Sequence, residues 1–329
     1  MLSLQPEGLY CKIGDFYIDP WKPVPRAVIT HAHADHARRG MGAYLAPFYS
    51  KNVLRLRLGK HIRLETLAFN EKYYIRGLSV SFHPAGHIPG SAQIRLEYRG
   101  EVWVVSGDYK TTYDGLSHAF EPVPCHTFIT ESTFGLPLFQ FPDQQLVFKE
   151  METWYRRCRQ QNEQAVVLAY SLGKAQRVMM GLHHMGIPVV LHSTVWETQQ
   201  ALSQNGFSLP KAPRWLARQK EEFKDAVLIA PPGAARNGNF LNKHPHQLAA
   251  ASGWMHLRGL RRRANYEKGF VLSDHADWNG LLYAIRETGA EQIWITHGYS
   301  DALSRHLREQ GLRAQTLETH FGTTEDDSE

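Results

Sequence analysis

Cysteine is scarce in this sequence. The three cysteines among 329 residues, Cys11, Cys125 and Cys158, are far apart, and no pair has Cys-x-x-Cys spacing. This spacing predicts neither a disulfide framework nor a thiolate zinc site, so we expect reduced, mostly buried thiols. Long apolar runs are also lacking, because no stretch approaches the roughly 18 residues of a membrane span. The N-terminal residues show no basic segment followed by an apolar stretch, so we expect a cytoplasmic protein without a membrane partner.

The sequence also lacks a strong excess of charge. It is 43% hydrophobic and 21% charged, which is typical of a folded protein and excludes a largely disordered one. A formal net charge of +5 fits a polyanionic substrate without requiring one. The length predicts more than one domain, or one domain with a sizeable insertion. The acidic, apolar-poor tail at 323–329 is expected to be disordered.

What the sequence does contain is a dense group of potential metal ligands behind the apolar run Ala27-Val28-Ile29. Within six residues it places three histidines and an aspartate: His31, His33, Asp35 and His36. Assembling imidazoles and carboxylates at one point is costly unless a cation binds them. The cluster therefore predicts a metal site at the end of a short buried strand, the alternatives being a solvated His-rich turn or a chance cluster.

A repeated pattern supports this interpretation: an apolar strand ends directly before a functional side chain. The residues in this position are His31, Asp108, Glu131 and His297. If the strands lie in packed sheets, these groups can meet at one edge of a rigid scaffold. His87 lies between Gly86 and Gly90, which permit a tight turn close to a metal, but spacing alone leaves His83 as a competitor.

The elements along the chain can be predicted coarsely. Residues 9–18 predict a hairpin, 73–82 a strand, 92–98 and 101–105 two antiparallel strands, and 144–160 a helix. The segment 52–64 has no period that assigns it. Beyond residue 135 buried strands alternate with helices, which is typical of a small α/β unit inserted into the chain.

Several of these motifs resemble those of a known family. The stretch His31-x-His33-x-Asp35-His36, Gly86-His87, Gly107-Asp108 and the late His297 resemble the metal-binding set of the metallo-β-lactamase superfamily. Glu131-Ser-Thr-Phe-Gly, Ser171-Leu-Gly-Lys-Ala-Gln and Ser273-Asp-His275 resemble motifs of its β-CASP nucleases. Because the chain is short, it looks most similar to the bacterial ligase-associated DNA exonucleases.

The resemblance implies a fold and a domain organisation. We expect a mixed α+β and α/β protein: a metallo-β-lactamase αββα sandwich with an inserted small α/β β-CASP domain. The sandwich would comprise residues 1–134 and 262–322, and the insertion residues 135–261.

The resemblance also implies two divalent metal ions, Zn or Mn, and ligand chemistry alone does not choose between them. One ion would be held by His31, His33 and His87. The other would be held by Asp35, His36 and His297, with Asp108 as a bridge between the two. Two such ions would lower the pKa of a shared water, and the resulting hydroxide would attack phosphorus in line.

Three residues are predicted to assist catalysis. Asp35 is assigned a catalytic as well as a ligand role. His275 would protonate the departing oxygen or bind the scissile phosphate, the alternative being a structural histidine at a helix start. Glu131 would accept a hydrogen bond from a metal-bound histidine, and a carboxylate bonded to backbone at the edge of the core is the alternative.

Substrate phosphate is expected to meet residues at a helix start and beside the ligand cluster. These are Ser171, Gly173, Lys174 and Arg38. Backbone N–H groups at a helix start and a nearby ammonium can bind phosphate, although a solvated helix start explains the first three residues as well. Arg261, Arg262 and Arg263 have no assigned role.

The predicted function is hydrolysis of DNA, single-stranded, exonucleolytic and 5′-directed by family resemblance, as part of DNA repair. The resemblance also implies functional association with a DNA ligase. The presence of His297 keeps RNA cleavage open. A small-molecule metallo-hydrolase and a catalytically silent nucleic-acid scaffold are two competing hypotheses. Polarity and end chemistry cannot be read from residue spacing.

Overall fold

A computed structural model describes residues 1–216, 221–236, 245–257, 259 and 266–319. Two compact units form: the first contains Met1–Tyr113, Ser117–Gln140 and the described residues from His275 onward, and the second contains Asp114–Leu116 and the described part of Phe141–Asp274. No described helix is both long and apolar enough to cross a membrane. The predicted domain boundaries stay a prediction, and the acidic tail and Arg261–Arg263 lie outside the described residues.

The first unit begins with a six-stranded sheet in which the strands follow chain order. These strands are β1 (Leu2–Gln5), β2 (Gly8–Cys11), β3 (Phe16–Ile18), β4 (Ala27–Val28), β5 (Tyr44–Pro47) and β6 (Leu64–Leu67). The first three are antiparallel and the rest are parallel. Helix α1 (Lys51–Leu58) connects β5 to β6. The pairing of β2 with β3 confirms the predicted hairpin.

The next five strands belong to a second sheet: β7 (Tyr73–Ile75), β8 (Leu78–Pro84), β9 (Ala92–Tyr98), β10 (Glu101–Val105) and β11 (Thr127–Ser132). The predicted antiparallel pair joined at Arg99-Gly100 is confirmed as β9 and β10. The single strand predicted over 73–82 is wrong, because the chain reverses at Arg76 and Gly77, both with positive φ, and so forms two strands.

The second unit is a parallel sheet with helices between its strands. Its elements are α2 (Gln144–Gln160), β12 (Gln164–Leu168), α3 (Lys174–His184), β13 (Val189–Leu191), α4 (Ser193–Gln204), β14 (Val227–Ala230), α5 (Pro232–Arg236), β15 (His246–Ser252) and β16 (Lys268–Val271). The strand order is β13-β14-β12-β15-β16, and all neighbours are parallel. Strand β12 is buried because helices cover the sheet, which explains its continuous apolar run.

The chain then completes the first unit with α6 (Trp278–Thr288), β17 (Gln292–Gly298), α7 (Ser300–Glu309) and β18 (Arg313–Thr316). The second sheet has seven strands in the order β18-β17-β11-β10-β9-β8-β7. Apolar side chains of α6 and α7 pack with β10, β11 and β17. Side chains of the two sheets form a shared core. The predicted mixed α/β architecture is confirmed, while the identity of the second unit as a β-CASP insertion stays a prediction.

Candidate metal centre

Three neighbouring strands of the second sheet deliver candidate site residues to one edge. Strands β10, β11 and β17 are parallel to one another, so their carboxyl ends meet at the same side of the sheet. Asp108 follows β10, Glu131 lies near the end of β11, and His297 lies near the end of β17. The sheet therefore brings together three groups that are separated by up to 189 residues in the sequence.

The ligand cluster predicted from sequence forms a compact loop after β4. Ala37 N donates to His33 O over 2.8 Å, which closes a turn and carries the side chains of the loop to one side. His31 and His36 are almost fully buried, whereas His33 and Asp35 are half-buried. The loop thus presents buried imidazoles and one partly accessible carboxylate.

Asp108 is the residue on which these groups converge. Its Oδ2 lies 3.5 Å from His31 Nε2, 3.4 Å from His36 Nε2 and 3.7 Å from His87 Nε2. Its other oxygen, Oδ1, lies 3.4 Å from His297 Nε2. The two carboxylate oxygens therefore face different sets of imidazoles, as a residue between two cations would require.

Hydrogen-bond acceptors beside Nδ1 of three imidazole rings favour the tautomer that carries its hydrogen on Nδ1. His36 Nδ1 lies 2.8 Å from Asp19 Oδ2, and His31 Nδ1 lies 3.0 Å from Thr30 Oγ1. Thr30 Oγ1 donates its own hydrogen to Asp19, so it accepts from His31. Thr296 Oγ1 lies 3.1 Å from His297 Nδ1 and donates to Thr130 O. With hydrogen on Nδ1, the neutral form of each ring directs the lone pair of Nε2 toward Asp108.

Asp19 is a site residue that the sequence analysis missed. It is buried directly after β3, and its carboxylate accepts from Thr30 N, Thr30 Oγ1 and His36 Nδ1. Asp19 also repeats the pattern of a strand followed by a functional side chain, in this case after Ile18. That signal was present in the sequence and could have identified it.

Two glycines allow the backbone to pass close to the site. A side-chain Cβ at Gly107 would lie 2.7 Å from Thr30 Cβ and Oγ1, and Gly107 has φ +56°. A Cβ at Gly86, where φ is +75°, would overlap the carbonyl oxygen of Lys110. Only glycine satisfies both requirements, so these residues set how closely Asp108 and His87 approach the centre.

His275 and Glu131 form a pair at the edge of the cluster. His275 Nδ1 lies 3.0 Å from Glu131 Oε1 and 2.9 Å from Oε2, and Tyr109 N donates to Oε1. Glu131 thus pairs with His275, a histidine outside the seven predicted ligands. The ring of His275 lies 4.6 Å, centroid to centroid, from that of His87, so the pair borders the candidate metal centre.

Burial and neighbouring charge prepare these groups for cation binding. Burial lowers the pKa of His31 well below its usual value, and burial together with His87 lowers the pKa of His33 to about 3. Burial opposes ionisation of Asp108, but the charge of His36 and the hydrogen bonds of His297 and His36 together outweigh it and hold the pKa of Asp108 well below its usual range. At neutral pH the site therefore has neutral imidazoles at His31 and His33 and an ionised Asp108, which are the ligand forms that bind metals.

The donor set fits divalent ions. Three groups of side chains have ligand atoms within 4.8 Å of one another: His31, His33, His87 and Asp108; Asp19, His31 and His36; and Asp108, Glu131 and His297. Buried His31 Nε2 makes no hydrogen bond among the described residues. An imidazole nitrogen buried in this way is costly without a partner, and a cation would satisfy it. Asp35 lies beside these groups, with Oδ2 3.7 Å from His36 Nε2.

The predicted phosphate-binding residues occupy two places. Ser171, Gly173 and Lys174 lie at the start of α3 in the second unit, where Gly173 N donates to Gln176 Oε1 and buried Lys174 Nζ lies 3.5 Å from Asp274 Oδ2. Arg38 is in the first unit and donates to Asp35 O over 3.2 Å. A role in phosphate binding stays a prediction for all four.

Comparison with known proteins places these motifs in context. No family model matches the chain. Sequence similarity nevertheless extends to an RNase J-like protein of Methanocaldococcus jannaschii, at 24% identity over 191 residues, or 48% of this chain and 43% of that protein. It also extends to cleavage and polyadenylation specificity factor 73 of Drosophila melanogaster, at 26% identity over 121 residues, or 36% and 17%. These relatives confirm the resemblance to the β-CASP group of the metallo-β-lactamase superfamily.

A longer match is to a particular bacterial protein. The chain is 29% identical over 319 residues to a protein of Opitutus terrae named "Probable DNA ligase", covering 94% of this chain and 30% of that protein. The chain thus spans less than half the length of each of these three curated relatives. A crystal structure of a protein of unknown function from Enterococcus faecalis has a similar fold, with a TM-score of 0.54, 13% identity and coverage of 90% of this chain and 80% of that one.

Proposed function

We propose that this chain is a metal-dependent nuclease that hydrolyses phosphodiester bonds in nucleic acid. Asp108 carries the proposal: its two carboxylate oxygens face imidazole Nε2 atoms from three separate segments of the chain. Such a set of imidazoles around a buried carboxylate suits a pair of divalent cations. The names of the three relatives refer to nucleic-acid chemistry, which supports a phosphodiester as the substrate.

In this proposal His31, His33 and His87 hold one ion, and Asp35, His36 and His297 hold the second, with Asp108 shared. When bound, divalent ions of this kind supply Lewis acidity toward a phosphate oxygen and activate water as a nucleophile. Asp19, Thr30 and Thr296 keep the Nε2 lone pairs directed inward. The contribution of the chain is therefore to preorganise ligands that would otherwise repel one another or take up protons.

His275 handles a proton in this mechanism. Its Nδ1 is held by Glu131, whose pKa is lowered because the charge and hydrogen bond of His275, together with the charge of His297, outweigh the effect of burial. An ionised Glu131 stabilises the cationic form of His275, so Nε2 is the nitrogen that can donate to the departing oxygen of the substrate. A half-buried Asp35, beside His36, completes the catalytic set that we propose.

The preferred substrate in this proposal is single-stranded DNA, degraded from a 5′ end in DNA repair, inside the cytoplasm and in functional association with a DNA ligase. The long match to a protein named as a DNA ligase supports DNA. RNA is the second candidate, supported by the RNase J-like protein and the cleavage and polyadenylation factor. A small-molecule metallo-hydrolase would use the same centre, so the substrate distinguishes these possibilities.

The test uses two variants and labelled substrates. Asp108→Ala should abolish cleavage of end-labelled single-stranded DNA and RNA, because it removes the carboxylate between the two ligand sets, while circular dichroism shows a folded chain. His275→Ala should keep the metal content of the wild-type protein but slow cleavage by roughly 10²–10⁴-fold. Turnover by Asp108→Ala at a rate near that of the wild type would contradict the two-metal proposal, and loss of metal from His275→Ala would make His275 a ligand instead.

A further inference from the structure

The segment that contains α1 is basic throughout. Between Asp35 and Glu65 the sequence has no acidic residue, and it has seven lysines and arginines: Arg38, Arg39, Lys51, Arg55, Arg57, Lys60 and Arg63. We propose that this basic segment, residues 36–64, binds the phosphate backbone of a single-stranded nucleic acid next to the metal centre. The inference rests on the proposed function and assigns to that function a substrate-binding surface.

Most charges of the basic segment are not compensated by a carboxylate. Some arginines elsewhere do contact carboxylates, as Arg156 contacts Glu152, Arg286 contacts Glu287 and Arg305 contacts Glu309. Five basic residues of the segment make no such pair with any described residue: Arg39, Lys51, Arg55, Lys60 and Arg63. Uncompensated positive charge attracts polyanions, so this surface can bind phosphates without first breaking salt bridges.

Contacts at both ends of α1 fix it beside the metal-ligand loops. Arg39, three residues beyond His36, donates through Nε and a terminal nitrogen to Arg57 O at 3.0 and 2.7 Å, in the last turn of the helix. Before the first turn, Ser50 Oγ donates to Gly90 O, in the loop that carries His87. Arg57 is also close enough to His33 to help lower the pKa of that imidazole. The helix is therefore tied to two of the loops that supply predicted ligands, those that carry His31–His36 and His87.

One face of α1 is apolar and the other carries charge. Val53, Leu54 and Leu58 are buried, whereas Lys51 and Arg55, which are neighbours at i and i+4, are only partly buried. Like charges at this spacing destabilise a helix, so local stability does not explain the arrangement. Eight helical residues extend about 12 Å, a length comparable to a few nucleotides at the ~3.4 Å rise of a DNA strand.

An aromatic side chain adds a surface for a base. Phe48, three residues before the start of α1, is 44% exposed, and Lys51 Nζ lies 5.9 Å from the centre of its ring. An exposed ring beside cations is how proteins bind single strands without reading sequence: bases stack on the ring while phosphates meet the charges. Bases inside a duplex are not accessible for such stacking. An exposed ring next to positive charges therefore favours binding of a single strand over binding of a duplex.

The decisive experiment measures binding separately from cleavage. A fluorescein-labelled 12-nucleotide single strand is titrated with the full chain in excess chelator, at several salt concentrations. The test variant is Lys51→Gln/Arg55→Gln/Lys60→Gln. The matched control is Arg156→Gln/Arg286→Gln/Arg305→Gln, which removes the same charge from ion-paired positions. We expect Kd to rise roughly tenfold for the test variant alone, and the slope of log K against log salt to fall by about 2, at ~0.7 for each phosphate that the protein no longer neutralises.

The outcomes separate this inference from the proposed function. With metal added, KM for the strand should rise more than kcat falls in the test variant. Equal losses of binding in test and control variants, or no binding by the wild-type chain, would overturn the inference. A wild-type chain that binds through the basic segment but cleaves no strand with metal present would overturn only the proposed function. The double variant Lys60→Gln/Arg63→Gln changes residues outside the helix and should show a smaller rise in Kd. It replaces the triple variant if that variant does not fold.

Discussion

At the scale of single residues, the site depends on groups that touch no substrate. The imidazoles of His31, His36 and His297 can bind a cation only if their hydrogens sit on Nδ1, and each Nδ1 has an acceptor in place. Asp19 serves two of these rings, His36 directly and His31 through the Thr30 hydroxyl. Removing its charge should therefore weaken metal binding without removing any ligand.

Replacing Asp19 with Asn tests this dependence. The amide keeps the size of the side chain but can present N–H to His36 Nδ1, which then favours hydrogen on Nε2. We expect metal affinity to fall by roughly 10–100-fold, measured as ions retained per chain after dialysis against a weak chelator.

Asp15→Asn is the matched control for that variant. Asp15 also has positive φ, but it forms an exposed ion pair with Arg26 in the hairpin turn. Its replacement should leave metal content at the wild-type level. Equal retention by Asp19→Asn and the wild-type chain would show that Asp19 does not set the tautomer of His36.

At the scale of elements, the site depends on where strands end and on how closely the loops that follow them approach one another. Strand β10 can bring Asp108 to the centre because Gly107 passes over Thr30 without a side chain. Gly107→Ala should push the two loops apart and lower the free energy of unfolding by roughly 1–3 kcal/mol. It should also reduce the number of bound ions, because Thr30 orients His31.

Gly100→Ala separates backbone strain from this contact. Gly100 has φ +84° in the β9–β10 turn, and a Cβ there would meet nothing within 4 Å. Its replacement should cost about 1 kcal/mol through the positive φ alone and leave metal content unchanged. Thermal unfolding and metal analysis of both variants make the comparison. Similar metal content in the two would mean that the Gly107–Thr30 contact is unimportant.

The elements also show how far the sequence predicts the fold. Helix α2 was predicted at its observed bounds because Phe148 and Met151 recur at helical spacing on a buried face. Helix α1 was not assigned, because arginines interrupt its apolar positions and blur the period. The sequence predicts one strand over residues 73–82 because the chain reverses at Arg76-Gly77 without an Asn-Gly or Asp-Gly signal.

The candidate site was predictable from the sequence only in part. The His31–His36 cluster is local in sequence, so its residue types alone predicted ligands. Asp19 was missed because its importance comes from contacts with His36 and Thr30, which lie 17 and 11 residues away. The pairing of Glu131 with His275 spans 144 residues and depends on the packing of the first unit. Spacing along the chain therefore identified candidate groups but not the partners that orient them.

At the scale of the whole molecule, the first unit holds every predicted metal ligand and the basic segment. The second unit is a parallel α/β sheet, and it contains Lys174 and Arg177 buried against Asp274. The proposed metal chemistry therefore involves residues of the first unit alone. Our central claim is that two ions bound there support nucleic-acid cleavage.

The most direct test of that claim is a titration of metal-free protein with Zn²⁺ or Mn²⁺. The number of bound ions and the cleavage of labelled single-stranded DNA and RNA are measured on the same samples. We predict that cleavage rises with occupancy and reaches its maximum at two ions per chain, and that Asp108→Ala shows no cleavage at any metal concentration. Full activity in the metal-free protein, or no cleavage of either nucleic acid with both ions bound, would contradict it.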